Sequence, residues 1–537
     1  MISTASPEVA PSFQARIEPC SGTFRLELPN RAASLVCGAL LGLSAPGFEQ
    51  WYLPWFGMIP LLYFTVTAKS PWLAGVRGFY FGTGFNLVYT CWYLFFRSMY
   101  GTGTFGSFPV FLCISFWVLM SMGQGLAISI FPGVLKAIPL TGGWLPLKRD
   151  SRWHWPSFIV VPALWVIIEK MCNTPALFGV PWSFGTPWAF LEYTQYKQLP
   201  IIQIASLIGG VGISACMLLA NLVILGVAGF GRRDLIAVSY PSRSSMIANS
   251  MVALSLLLLI PAYGICRLSY EDKKPKEKMH LVAIQSGLSA DVNKVSEVQI
   301  LANHLRMCKK CPANSTVVWP EWALPIDYTR HKETLKGAAC HAEWLHQSWV
   351  MGIYDSGGVK GRLFNSVCGL EDGKVLPDVY HKLYPVPFGE FTPQWVQESV
   401  LKNILFGCGR KFNDTTAGDK VVVLKLKRGA VAPVLCIETV FPWLVSEGVR
   451  KGAKFVADCS YTGWFHESIL SDQMISFCVM RAAENHRPFV FSTTYGPSVI
   501  IDSLGRVLRE APRKREAIIS ADVPIENDIT LFTRFSF

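Results

Sequence analysis

A chain of 537 residues with 51% hydrophobic residues and a net charge of +12 is too long for one ordinary domain. Its charges divide sharply: residues 1–270 carry 16 Lys and Arg with 8 Asp and Glu, whereas residues 271–537 carry 33 and 29. The first half is thus nearly uncharged and the second has the charge density of a water-facing globular domain. Because the excess positive charge lies mostly in the apolar half, it argues against nucleic-acid binding and for basic loops beside membrane helices.

Residues 1–30 are mixed, polar and proline-containing, with no short apolar core or small-residue cleavage site, and read as an uncleaved cytoplasmic segment. From there to residue 270, apolar stretches of about membrane-spanning length recur at 31–47, 50–67, 72–96, 106–135, 156–171, 199–229 and 246–267, predicting seven transmembrane helices. The first two, joined tightly through SAPGFEQ, read as a hairpin, and the Gly and Ser of the fourth suit close helix packing. Placing the N-terminus in the cytoplasm leaves eleven flanking Lys and Arg inside (from Arg16 to Arg243) and three outside (Arg97, Lys170, Lys197). Seven crossings then put residue 271 onward outside the cytoplasm. The loop Asn173–Pro200, with FGVPWSFGTPWAF, is either a segment lying in the membrane interface or a buried connection between helices.

The charge run EDKKPKEK, residues 271–278, marks a boundary, and an alternating pattern follows. Strands are expected at Met279–Gln285, Thr316–Trp319, Trp349–Tyr354, Arg362–Cys368, Val375–Tyr380, Val421–Leu426, Val431–Leu435, Lys454–Val456 and Phe489–Ser492. Helices are expected at Val295–Lys309, 438–450 and 470–486. Two sheets covered by helices, an α/β sandwich, fit this order. The segment after Glu390, PQWVQESVLKNILFG, reads either as a lid dipping into lipid or as part of the core.

Cys436 falls where the strand Val431–Leu435 meets helical spacing, and the positive end of a helix dipole favours a thiolate there. A lone cysteine is by default a small apolar residue. Here, however, Glu321 follows the end of one strand and Lys382 the end of another, completing a set: a carboxylate to take the thiol proton, a thiolate to attack a carbonyl, and an ammonium to stabilise the oxyanion. Cys308 and Cys311 form a lone CxxC that no second pair or nearby His completes as a zinc set, an ordinary helix feature or a local disulfide, and His341 and His346 are spaced off one helix face. No metal is assigned.

The motifs WPE, YHKLYPVPFGEF and LCIE, in that order, resemble the Glu-Lys-Cys triad of the nitrilase (carbon-nitrogen hydrolase) superfamily. The preceding membrane half narrows the resemblance to its apolipoprotein N-acyltransferase branch, as do APGFEQWYLPW, GVPWSFG, LFNS and RAAENHRP. The resemblance covers residues 31–535. It implies a polytopic α-helical membrane domain (31–270) followed by an extracytoplasmic α/β nitrilase-like catalytic domain (271–537) with an α-β-β-α sandwich fold. It also implies Cys436 as nucleophile, Glu321 as base, Lys382 as oxyanion cation, and Glu390 and Glu438 as supporting acids. The implied reaction moves an acyl chain from a phospholipid to the α-amino group of a diacylglyceryl apolipoprotein through a Cys thioester, at the bacterial inner membrane, with no cofactor and no nucleic acid. Ile437 stands where the family usually has Tyr, SYTGWF where it has SNDAWF, and TTYG, with Thr494, where it has a TNxG-like stretch. The family's last transmembrane helix is expected to be absent, because only nine residues follow Asp528. The catalytic domain is then expected to hang on one covalent tether near residue 270 and on its lid. A membrane-tethered amidase shares the triad and is the alternative. A transporter reading is opposed by the few ionisable groups within the spans.

Overall fold

The computed structural model of the protein describes residues 21–100, 108–141, 147–149, 152–172, 188–228, 243–287, 296–359, 361–387, 390–391, 415–463 and 468–536. Most of the aromatic loop (173–187) and the expected lid segment (393–407) therefore lie outside the described residues.

Apolar composition makes the first half helical, but prolines and a glycine break it more often than the spacing predicts. Helix α1 (Ser21–Gly42) begins within the stretch read as a polar leader. Residues 50–67, expected to cross as one helix, instead form a 3₁₀ turn (Leu53–Trp55) and a nine-residue helix α2 (Ile59–Thr67), each with Pro in its first turn. At 1.5 Å per residue α2 is about 14 Å long, half a bilayer core. Helices α3 (Pro71–Tyr89), α4 (Phe108–Ala137) and α5 (Ser157–Cys172) follow, with a small three-stranded sheet, β1 (Leu140–Thr141), β2 (Leu147–Arg149) and β3 (Arg152–Pro156), between the last two.

The stretch 199–229 also breaks, into α6 (Leu199–Ile202), α7 (Ala205–Ile208) and α8 (Gly210–Ala228), with Gly209 turning the chain at φ +73° between the last two. Helix α9 (Arg243–Lys273) closes the half. Among the described residues three helices are long and apolar enough to cross a membrane: Cys113–Ala137, Gly210–Val227 and Ile247–Lys273. Helices α1 and α3 are long enough but share the ion pair Arg77–Glu27, 3.1 Å apart. Their backbones meet closely: a Cβ on Gly38 would lie 1.9 Å from the Phe81 carbonyl oxygen, and one on Gly84 2.0 Å from that of Leu35.

In the second half, β-branched and aromatic runs form two sheets. The first is seven-stranded, with β4 (Lys278–Gln285) and β5 (Thr316–Val318) beside β6 (Leu324–Asp327), β7 (Ser348–Asp355), β8 (Phe364–Glu371), β9 (Lys374–His381) and, at the far edge, the C-terminal strand Ala517–Pro524. The second holds β10 (Val431–Leu435), β11 (Phe455–Ser460), β12 (Phe489–Thr493), β13 (Val499–Ile501) and β14 (Val507–Glu510) in that order. The edge strand is β15. Residues 421–426, expected as a strand, contribute one isolated bridge, Leu424 to Val431.

Alternation along the strands assigns the faces. Leu281, Ala283, Phe455, Ala457 and Val490 fill the space between the sheets. Val282 and Ile284 point the other way, toward α10 (Glu297–Cys308) and α11 (Lys332–Trp344). Val434, Val456, Phe489 and Phe491 point toward α12 (Pro442–Arg450) and α13 (Leu470–Asn485). The layers run α-β-β-α.

Every residue of helix α13 but Asp472 is buried, because the first half covers its outer side. Gln473 receives the Trp188 indole N–H (2.7 Å) and donates to the Tyr89 carbonyl (2.8 Å). Glu484 accepts the Gly210 amide at 2.9 Å, and Gln203 donates to the Leu504 carbonyl at 2.9 Å. The C-terminal helix α14 (Leu531–Phe535) packs on α7 and α12. The expectation of one covalent tether is corrected: buried polar and apolar contacts join the two halves.

Candidate active site

Three chain turns bring the candidate residues together, each at the end of a strand. Glu321 lies just beyond β5, and its amide donates to the carbonyl of Ser460, the last residue of β11, at 3.3 Å. Lys382 follows β9 and donates its amide to the Asn365 carbonyl at 2.8 Å. Cys436 follows β10 and takes φ +55°, a left-handed conformation that costs a non-glycine residue about 1–3 kcal/mol. Its amide is held by Asp458 Oδ1 at 2.8 Å, from the neighbouring parallel strand β11. Because strands β4, β5, β7 and β10–β12 pair in parallel, their carboxyl ends open on one side.

Lys382 is 1% exposed, and its Nζ sits 2.7 Å from Glu390 Oε2 and 3.2 Å from Glu321 Oε1. Asn365 Nδ2 donates to both carboxylates, at 2.7 Å each. Glu390 Oε2 also accepts the Val386 amide at 2.7 Å, so its carboxylate fixes the loop that carries the lysine. Glu438 ties that loop to the cysteine turn: it accepts the amides of Leu383 (2.6 Å), Tyr384 (3.2 Å) and Leu435 (2.9 Å) and the Tyr380 hydroxyl (2.7 Å).

Burial disfavours every charge here, and neighbouring charges then decide which survives. Burial raises Glu321 above the ordinary carboxylate range, with Lys382 opposing and Glu390 adding to the rise. Burial works to lower Lys382, but Glu321 and Glu390 outweigh it and hold the ammonium charged. Burial likewise pushes Glu438 up to about 7 against Lys382 and its donors. Cys436 is pushed far up, first by burial and then by Glu321, with only Lys382 pulling the other way. This corrects the expectation of a dipole-stabilised thiolate. The helix at Cys436 is a five-residue 3₁₀ turn, Cys436–Val440, and Pro442 starts a separate α-helix, so the dipole is small beside the carboxylates. Burial and the Glu321 carboxylate both favour the neutral thiol at Cys436.

The half-buried Cys436 packs, with Leu383, Tyr384, Val386 and Ile469, against one apolar cluster that continues into the helices of the first half and includes Phe48 and Trp55 on its rim. The sulfur thus adjoins hydrocarbon as well as the charged pocket. Of the positions that depart from the family pattern, Tyr461 packs its ring 5.5 Å from that of Trp322, and Thr462 hydrogen-bonds Thr493 at 2.6 Å. Asn365 and Asp458 are site residues that the sequence reading did not single out. Their signal is a polar side chain in an otherwise apolar strand, in LFNS and in FVADCS. Glu271, His486 and Glu526 bring ligand-type atoms within 4.8 Å of one another, but Lys276 already bonds both carboxylates, at 2.6 and 2.5 Å.

Comparison with known proteins matches two family models in succession. The apolipoprotein N-acyltransferase N-terminal domain matches residues 37–223, and the carbon-nitrogen hydrolase family matches residues 285–527. An apolipoprotein N-acyltransferase of Geobacter metallireducens is 28% identical over 511 residues, covering 94% of this chain and 91% of its own. One of Azotobacter vinelandii is 26% identical over 521 residues, covering 94% and 92%.

Proposed function

The chain is a homologue of the apolipoprotein N-acyltransferases along both of its halves, and from that premise we propose that it carries an acyl chain from a phospholipid to the α-amino group of a diacylglyceryl-cysteine at the N-terminus of apolipoproteins. One observation carries the reading to this chain's own residues: Cys436 stands between a Glu-Lys pocket and an apolar cluster continuous with the membrane-type helices. An acyl donor dissolved in lipid reaches such a thiol without leaving hydrocarbon. The homologues named as acyltransferases likewise leave small-amide hydrolysis unfavoured.

In the first half-reaction Glu321 takes the Cys436 proton, and the sulfur attacks the ester carbonyl carbon. The carbonyl π electrons move onto oxygen, where Lys382 balances the charge. Ile437 lies in the first turn of the 3₁₀ helix, where amides lack an intrahelical acceptor, and so supplies a second donor for that oxygen. Collapse breaks the C–O bond, and the departing glycerol oxygen takes the proton from Glu321, leaving a thioester and a lysophospholipid. In the second half-reaction the lipoprotein amine attacks the thioester, Glu321 receives the amine proton, and the thiolate leaves and is reprotonated. The ester supplies the driving force.

Glu390 and Glu438 support this chemistry by fixing the lysine loop. The first half, residues 31–270, serves as the membrane domain, and residues 271–537 as the catalytic domain on the periplasmic side of the inner membrane. The experiment is acceptor dependence: acylated protein kept in buffer should retain its acyl group and release it onto an added diacylglyceryl-cysteine peptide. Rapid loss as free fatty acid without the peptide would mark a hydrolase instead.

A further inference from the structure

We propose that Asp458 is a positioning residue that anchors the left-handed turn of Cys436 and sets a buried carboxylate beside its thiol. The inference rests on Cys436 being the nucleophile of the proposed reaction.

Asp458 is fully buried within β11, where the flanking Ala457 and Cys459 offer no reason for a carboxylate. Oδ1 accepts the Cys436 amide at 2.8 Å and the Ser460 hydroxyl at 2.8 Å, and Oδ2 accepts the Thr439 hydroxyl at 2.5 Å. Three donors converge on it, two of them from the turn that carries the nucleophile. A non-glycine residue at φ +55° needs its neighbours to hold it there, and the amide-to-carboxylate bond is what fixes Cys436. The same bond takes the Cys436 N–H out of the reaction.

The electrostatic part follows from what surrounds the thiol. Four charged groups act on Cys436: Glu321 beyond β5, Lys382 and Glu390 beyond β9, and Asp458 from β11. Only Lys382 favours the thiolate, and it is already bonded to both glutamates. Asp458 therefore adds to the cost of ionising the sulfur without itself touching substrate. Burial pushes Asp458 up to about 7 against its three donors, with Glu321 adding to the rise, so its charge turns over in the neutral range.

The two tasks separate by substitution. Asp458→Asn keeps an oxygen acceptor for the Cys436 amide but removes the charge, whereas Asp458→Ala removes both. The test is the pH dependence of iodoacetamide alkylation at the Cys436 peptide, followed by mass spectrometry on the full chain in detergent, beside the kcat and KM of donor acylation. For Asp458→Asn the alkylation curve should shift to lower pH with kcat within about fivefold of the parent. For Asp458→Ala kcat should fall on the order of 10- to 100-fold at nearly constant KM, as a misplaced nucleophile does. Thr439→Val, which removes one of the donors that seat Asp458, should lower kcat at nearly constant KM, by less than Asp458→Ala, and serves if the alanine variant does not fold. An unmoved alkylation curve in Asp458→Asn, or a kcat unchanged in a folded Asp458→Ala or in Thr439→Val, would overturn the inference. Alkylation needs no acyl donor, so a shifted curve in a protein that never forms a thioester would count against the proposed function and not against this role of Asp458.

Discussion

The ammonium of Lys382 lies 2.7 Å from the carboxylate of Glu390, nearer than it lies to Glu321 at 3.2 Å. Glu390 is thus what holds the lysine, and it leaves Glu321 the freer carboxylate to take a proton. Glu390→Gln keeps the shape but loses the ion pair. Its acylation rate should fall roughly 10- to 100-fold with little change in KM, because the lysine loses its place before it loses its charge. Single-turnover acylation measures this, and a rate equal to that of the parent would mean Lys382 is positioned by other contacts.

Removing the proton acceptor acts differently. Glu321→Gln leaves the Asn365 and Lys382 contacts a neutral partner that cannot accept the thiol proton, so acylation should slow by about 10²- to 10⁴-fold. Lys382→Met should be comparably inactive. Ordinary turnover in either variant would show that these residues do not act on Cys436.

The pH profile has a defined sign. Burial raises Glu321, and a base is active only when ionised, so kcat/KM should fall as pH drops through a value above the ordinary carboxylate range. An acid limb at or below about 4.3, the value of a free glutamate, would contradict the burial argument.

The seat between the two halves is also testable. Arg481 is fully buried on α13, 2.8 Å from Glu484 and 3.5 Å from Glu192 of the first half. Arg481→Ala leaves two carboxylates buried without their cation, which should cost about 3–5 kcal/mol of stability. Replacing all three by neutral residues of similar size should recover much of that loss in thermal unfolding. No change on Arg481→Ala would mean that the interface is wet.

Much of this was legible in the sequence. The strand Val431–Leu435 running into a turn announced where the cysteine would sit, and the strand ends before Glu321 and Lys382 announced the cleft. Less legible were the breaks. Helical periodicity carries no mark of Pro54, Pro60 or Gly209 cutting an apolar run, so segments read as crossings became short pieces. Strands of three or four residues such as Val499–Ile501 and Val507–Glu510 are too short for alternation to register, and Val421–Leu426 looked like a strand but lacks a ladder partner. Asn365 and Asp458 escaped because their function depends on partners 25 to 44 residues away in one case and 22 in the other.

The sidedness of the catalytic domain has a cysteine of its own to report it. Cys340 is exposed on α11, which packs on β7, β8 and β9. A membrane-impermeant maleimide added to spheroplasts should label the Cys340 peptide before lysis. Labelling only after lysis would place the catalytic domain in the cytoplasm.

In the proposed reaction the Cys436 sulfur carries the acyl group. The full chain is incubated with phosphatidylethanolamine and the Cys436 peptide read by mass spectrometry. An added fatty-acyl mass is expected on that peptide, lost on treatment with hydroxylamine and absent in Cys436→Ala. An acyl mass on another residue, or N-acylation of lipoprotein by the Cys436→Ala protein, would contradict it.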